Sequence, residues 1–144
     1  MGAPIIIDEL MDLWVSNGMK DLFCECIVKG AKLKGLDIST VFDTAPGIAG
    51  TYGVSGVGID ADEFYPYFGG RGGFRDHLDF CSSRMEELCD RDEPGTATMK
   101  HVFAWAKYMM DGGDVDDRRD DFGGSWPPVI LLRDCDATRG ASTP

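Results

Sequence analysis

A run of aspartates near the C-terminus is the densest group of chemically active side chains in this sequence. Six of the eleven residues from Asp111 to Asp121 carry a carboxylate, and only Arg118 and Arg119 oppose them. Such a group attracts cations or basic proteins and repels nucleic acid and anionic membranes. We call residues 111–121 the acidic run. Five of its members are expected to contact a basic partner: Asp114, Asp116, Asp117, Asp120 and Asp121.

A second candidate contact patch lies between residues 60 and 68. Asp60, Asp62 and Glu63, which we call the carboxylate triad, directly precede four aromatic residues in five positions, Phe64-Tyr-Pro-Tyr-Phe68. Exposed rings beside carboxylates make good anchors for a basic protein. We therefore expect the triad, together with Tyr65 and Tyr67, to contact the same kind of partner. The alternative is a turn whose rings cap the hydrophobic core.

Neither acidic group has the spacing of an EF-hand calcium loop. Counting from Asp114, positions 5 and 6 are Arg118 and Arg119, where a ligand and a glycine are required. Counting from Asp60, position 5 is Phe64. The sequence therefore predicts no metal site of this type, and a loose surface site for calcium or magnesium stays open beside a simple solvated acidic loop.

Cysteine and histidine could in principle bind zinc or act as nucleophiles. Cys24 and Cys26 form a C-x-C pair, and His77 and Cys81 are four residues apart on a predicted helix. The thiols of a helical C-x-C pair point about 200° apart, which suits a metal poorly. Cys26 and Cys81 also fall on apolar helix faces, where a free thiol behaves as a small hydrophobic group. The prediction is buried, reduced thiols, typical of a reducing compartment.

Recognisable catalytic and phosphate-binding motifs are missing from the sequence. The stretch from Gly53 to Val57 lacks the last glycine of G-x-S-x-G, and no lysine lies between Lys34 and Lys100 to complete a Walker loop. One Gly-Gly-Arg-Gly-Gly segment, at 69–73, is weak evidence for RNA binding in a chain of net charge -11. A hinge loop is the expected role of that segment, and we predict neither a catalytic residue nor a cofactor.

Helical spacing of apolar residues indicates the elements that carry these groups. It predicts helices from Met19 to about Lys34, from Phe74 to before Asp92, and from Thr96 or Thr98 to the glycines at 112–113. Asp8 has the character of an N-cap for a further short helix over residues 10–15. Strand candidates are 4–7, 36–42, a glycine-weakened stretch or hairpin at 48–59, and 129–133.

These elements predict a helix-dominated α+β fold with three or four helices and a short sheet. The chain has 144 residues, 43% of them hydrophobic, which corresponds to one domain; we place it at 1–136, with a frayed tail at 137–144. No apolar run approaches the roughly 20 residues of a membrane span, and the N-terminus lacks the features of a signal peptide. A cytoplasmic location is therefore expected.

The excess of acid then favours one function over the others. Residues 59–144 hold 18 of the 25 acidic residues. A surface of this kind suits a non-enzymatic protein that docks as an inhibitor on a basic, nucleic-acid-binding surface of a partner protein. Two alternatives stay open, as does the oligomeric state. One is a metal-dependent enzyme built from His77, His101, Cys81 and the Asp60/Asp62 pair, and the other is a structural subunit of a larger assembly.

Overall fold

The computed structural model describes residues 2–8, 11–54, 57–112 and 130–133. Within these residues there are four strands, six α-helices and one 3-10 helix. In chain order they are β1 (Gly2–Asp8), β2 (Met11–Ser16), α1 (Asn17–Leu33), α2 (Val41–Thr44), α3 (Pro46–Ala49), β3 (Ile59–Asp60), the 3-10 helix (Ala61–Phe68), α4 (Arg71–Ser83), α5 (Met85–Leu88), α6 (Glu93–Met110) and β4 (Ile130–Arg133).

The fold is helix-dominated α+β, as predicted. The three longest helices, α1, α4 and α6, correspond to the three helices that apolar periodicity predicted. The helix count is higher than three or four because of short helical segments of four to eight residues. Of these, α5 is the end of the helix predicted from Phe74, separated from α4 by a break at Arg84. The other short segments are too short to show a periodic apolar face.

The strands form one mixed sheet in the order β3-β1-β2-β4. The pairs β1–β2 and β2–β4 are antiparallel, and β1–β3 is parallel. The predicted helix over residues 10–15 is wrong, because Met11–Ser16 is a strand. Its apolar residues Met11, Leu13 and Val15 alternate along the chain, and this period of two suits a strand paired with β1.

Two other strand predictions are also wrong. In the 36–42 stretch, the carboxylate of Asp37 accepts hydrogen bonds from the backbone N–H and hydroxyl of Ser39, at 3.0 and 2.7 Å. Such a local bond favours a turn over a strand, and α2 begins soon afterwards at Val41. In the 48–59 stretch, among the described residues 48–54 and 57–59, the end of α3 and the turns at 50–53 replace the expected strand or hairpin, and Ile59 alone is in a strand, β3.

The core lies between the sheet and the long helices. Cys26, Cys81 and Met85 are fully buried in it, as their apolar-face positions predicted. Gly30 permits the close crossing of α1 over α4, because a Cβ at this position would lie 2.5 Å from Cys81 Sγ. The four cysteines that the structure describes are all buried and unbridged, also as predicted.

Among the helices in the described ranges, none is long and apolar enough to cross a membrane. The C-terminal tail predicted at 137–144 lies outside the residues that the structure describes. The strand predicted at 129–133 is present as β4, from Ile130 to Arg133.

Candidate functional site

The acidic run is attached to the fold at its first residue. Asp111 directly follows α6, and its carboxylate receives two hydrogen bonds from the guanidinium of Arg75 on α4, Nε to Oδ1 at 2.8 Å and Nη2 to Oδ2 at 2.7 Å. Arg71 donates through Nη2 to the carbonyl oxygen of Met110 at 2.7 Å. A two-point arginine–carboxylate pair fixes direction as well as distance. The start of the run is therefore oriented by α4.

The same arginine belongs to a small network of charges between α4 and α6. Asp79 accepts a hydrogen bond from Arg75 Nη1 and another from Lys107 Nζ, the latter at 3.1 Å. Hydrogen bonding by Arg75 lowers the pKa of Asp111 below its usual value. Desolvation raises the pKa of Asp79, but the bonds from Lys107 and Arg75 outweigh it and lower the net value. Both carboxylates are thus held ionised.

The other predicted contact residues of the acidic run fall outside the described part of the chain. They are Asp114, Asp116, Asp117, Asp120 and Asp121. Their place in the proposed site rests on the sequence and on the anchored position of Asp111.

The carboxylate triad is brought together as the sequence suggested. One carboxylate oxygen from each of Asp60, Asp62 and Glu63 lies within 4.8 Å of the others. The triad begins the 3-10 helix, and Gly47 of α3 packs against it so closely that a Cβ there would lie 2.6 Å from Asp60 Oδ2. Oxygen atoms grouped in this way can bind a hard cation or a basic side chain.

The neighbouring aromatic residues pack largely against the core. Phe64 is fully buried, and the hydroxyl of Tyr65 donates a hydrogen bond to the carbonyl oxygen of Ile7 at 3.2 Å. Tyr67 and Phe68 are half-buried against the same cluster. Tyr65 and Tyr67 therefore pack in part against the core, and only part of each side chain is open to a partner.

Sequence reasoning missed the role of Lys20. Its side chain is 0% exposed, and Nζ donates to the carbonyl oxygens of Thr51, Val54 and Val57 at 2.9, 2.6 and 2.9 Å. An ammonium group has three hydrogens to donate, so these bonds satisfy it completely. A usable signal was present, because Lys20 shares a helix face with Phe23 and Ile27 at spacings of three and seven.

Two acidic residues of α1 hold the same loop. Asp21 Oδ1 accepts from the backbone N–H of Gly53 at 3.0 Å, and Glu25 Oε2 accepts from the hydroxyl of Tyr52 at 2.6 Å. Burial, followed by this bond to Glu25, raises the pKa of Tyr52. We call Thr51–Val54 together with Val57 the clamped loop, since it is bound by three polar side chains of α1, those of Lys20, Asp21 and Glu25.

His77 and Cys81, material for the enzymatic alternative, do meet in the structure. Cys81 Sγ lies 3.4 Å from His77 Nε2, and the same nitrogen is 2.9 Å from the carbonyl oxygen of Ile27. Because a carbonyl can only accept, Nε2 carries the proton, and buried Nδ1 has no partner in the described part of the chain. Burial lowers the pKa of His77 to about 4 and raises that of Cys81 to about 12.

These two residues do not assemble a metal site or an activated thiol. A thiol with a pKa raised by burial stays protonated and is a poor nucleophile and ligand. Among the residues with described side chains, the carboxylate triad is the one group of three or more His, Cys, Asp or Glu whose ligand atoms come within 4.8 Å of one another. His101 lies half-buried on α6 and is not part of that group.

Comparison with known proteins gives no relative from which a function could be transferred. No protein-family model matches the chain, and no curated protein or solved structure matches it. The geometry and charge of the described residues are therefore the basis for proposing a function.

Proposed function

We propose that this protein is a non-enzymatic, acidic binding module that docks on the basic surface of a partner protein, a nucleic-acid-binding enzyme that it inhibits. The observation that carries the proposal is the anchoring of the acidic run at Asp111 by Arg75 and Arg71. Carboxylates that start from a fixed point on a folded domain can occupy a groove shaped for phosphates.

Ion pairs within the chain occupy several of its basic residues, and this supports the same proposal. Lys20, Arg75, Arg84, Lys100 and Lys107 each form an ion pair with an acidic residue of this chain. The chain as a whole has 25 acidic and 14 basic residues, and its net charge of -11 acts on other molecules. A strongly negative surface accelerates association with a basic protein, and that acceleration falls as salt screens the charges.

The decisive experiment removes charge from the acidic run and leaves the fold in place. Asp116, Asp117, Asp120 and Asp121 are changed together to Asn, and tagged protein captures partners from the native host lysate at low and high salt. A basic, nucleic-acid-binding protein should bind the unmodified protein, be released by salt or heparin, and be lost from the variant. The melting temperature should not change.

A matched control separates the position of the charge from its amount. Four exposed acids elsewhere in the fold are neutralised in the control variant, which carries Asp43→Asn, Asp76→Asn, Asp90→Asn and Glu93→Gln. This variant should retain the partner. Equal capture by the two variants would contradict the proposal that the acidic run is the contact surface.

A further inference from the structure

A buried cation binds the clamped loop. Three carbonyl oxygens of the loop accept hydrogen bonds from Lys20 Nζ, while the Gly53 N–H and the Tyr52 hydroxyl donate to Asp21 and Glu25. Gly53 has a φ of +79°, a conformation that glycine adopts without strain. A loop fixed in advance loses little conformational entropy when a partner binds to it.

The fixed loop presents apolar side chains to solvent. Val54 is 44% exposed and Val57 is 39% exposed, and they are two of the four large exposed hydrophobic residues in the described part of the chain. The other two, Leu33 and Leu36, lie at the far end of α1, beside Lys32 and Lys34. Val54 and Val57, exposed on a loop that α1 holds by hydrogen bonds, have the composition of the apolar centre of a small protein–protein interface.

The surroundings of the two valines are acidic. Val57 precedes Asp60 by three residues, so the carboxylate triad begins within about 10 Å of it along the chain. Thr51 bonds through Oγ1 to the carbonyl oxygen of Gly47 at 3.2 Å, and Gly47 packs against Asp60 and Glu63. Gly47 of α3 therefore connects the loop to the triad.

The sequence segment that builds this part of the molecule carries no positive charge of its own. No lysine or arginine occurs between Lys34 and Arg71, a stretch that contains five acidic residues. The ammonium of Lys20 is buried against the loop carbonyls. The next lysine of α1, Lys29, is nine residues further on, which is about 13 Å along the helix.

We propose that the clamped loop and the carboxylate triad form a docking surface for a basic segment of the partner protein that carries aliphatic side chains. Its lysines or arginines would pair with the triad, and an aliphatic side chain would pack between Val54 and Val57. This inference rests on the proposed function, that the protein binds a basic partner, and it gives that contact a second location besides the acidic run.

Two labelled peptides of equal charge test the proposal on the full chain. One is a twelve-residue peptide of alternating arginine and leucine, and in the other serine replaces leucine; binding is measured by fluorescence anisotropy. Val54→Ser combined with Val57→Ser should weaken the arginine–leucine peptide about tenfold, or about 1.4 kcal/mol, and leave the arginine–serine peptide unchanged. Leu33→Ser combined with Leu36→Ser is the matched control and should change neither.

The outcomes separate this inference from the proposed function. A valine variant that binds both peptides like the unmodified protein overturns the docking surface, and the proposed function survives if neutralising the acidic run still abolishes partner capture. If neither peptide binds the unmodified protein at low salt, both proposals are overturned. In a second readout, amide chemical shifts on adding the arginine–leucine peptide should change at residues 51–54 and 57–63 rather than at 29–36.

Discussion

The glycine-rich stretches at 47–58 and 69–73 are similar in composition, yet they are held in different ways. The first is bound by side chains of α1, above all by Lys20, which lies 31 to 37 residues away from its three carbonyl partners. The second is organised by local backbone bonds, from Gly70 N to Tyr65 O at 2.8 Å and from Phe74 N to Gly70 O at 3.0 Å. One depends on the tertiary fold, and the other largely on its own sequence.

The individual glycines also serve different purposes. Gly69 and Gly70 have φ values of +81° and +115°, so they supply a backbone conformation, whereas Gly73 supplies space. A Cβ on Gly73 would lie 1.7 Å from the carbonyl oxygen of Phe68, but a Cβ on Gly72 would meet nothing within 4 Å. The loop predicted at 69–73 therefore comprises only Gly69 and Gly70, since α4 has begun by Arg71.

The largest expected effect follows from that contrast. Gly73→Ala should lower the free energy of unfolding by about 4 kcal/mol, because the clash is with backbone atoms that cannot rotate away. Gly72→Ala is the matched control, and it should be neutral or stabilising by up to about 1 kcal/mol, since alanine favours a helix. Urea unfolding measures both, and equal stability of the two variants would show that the turn is packed differently.

A smaller loss is expected when the first stretch is released. Lys20→Met should lower the free energy of unfolding by about 3 kcal/mol, because three loop carbonyls lose their common donor. Hydrogen exchange should become faster in residues 51–58 and stay unchanged in residues 69–74. Lys32→Met, at an exposed position on the same helix, should have almost no effect. Uniformly faster exchange over both stretches would contradict the idea that they are held independently.

Sequence periodicity predicted the long helices because their apolar residues recur over several turns. Phe74, Leu78, Cys81 and Met85 are an example, although the helix is interrupted at Arg84, between α4 and α5. The carboxylate triad was also predictable, since its members are neighbours in the sequence. The contacts of Lys20 with its loop and of Arg75 with Asp111 were not. Both join residues more than 30 positions apart, and no local pattern encodes such pairs.

A smaller effect is expected from acid, which should lower the free energy of unfolding through His77, a residue of the helix that follows the second stretch. His77 of α4 is buried and neutral with its pKa lowered to about 4, mainly by desolvation and further by Lys34, whereas an unfolded chain binds the proton near its usual pKa of 6.5. The unfolded state thus holds more protons between these values, so stability falls as the pH drops. The loss should reach about 2 kcal/mol between pH 8 and pH 5.

His77→Phe provides the control for this pH dependence. The variant should lose most of the slope between pH 6.5 and pH 4, and half-buried His101, whose pKa burial also lowers, should account for what is left. The pairs of Asp79 and Asp111 weaken only further into acid, because their pKa values lie below 3.8. None of the clamp bonds from α1 involves a histidine. An unchanged slope in the variant would exclude His77 as its source.

The pairing of β4 with β2 has a topological consequence for the acidic run. Arg71 and Arg75 fix the chain at Met110 and Asp111, and the ladder from Trp14–Ile130 to Met11–Arg133 fixes it again at β4. The chain is thus held to the folded domain on both sides of the remaining carboxylates of the run, at Asp111 and at Ile130. A protease that cut once between these two points would leave both new ends attached to the folded domain.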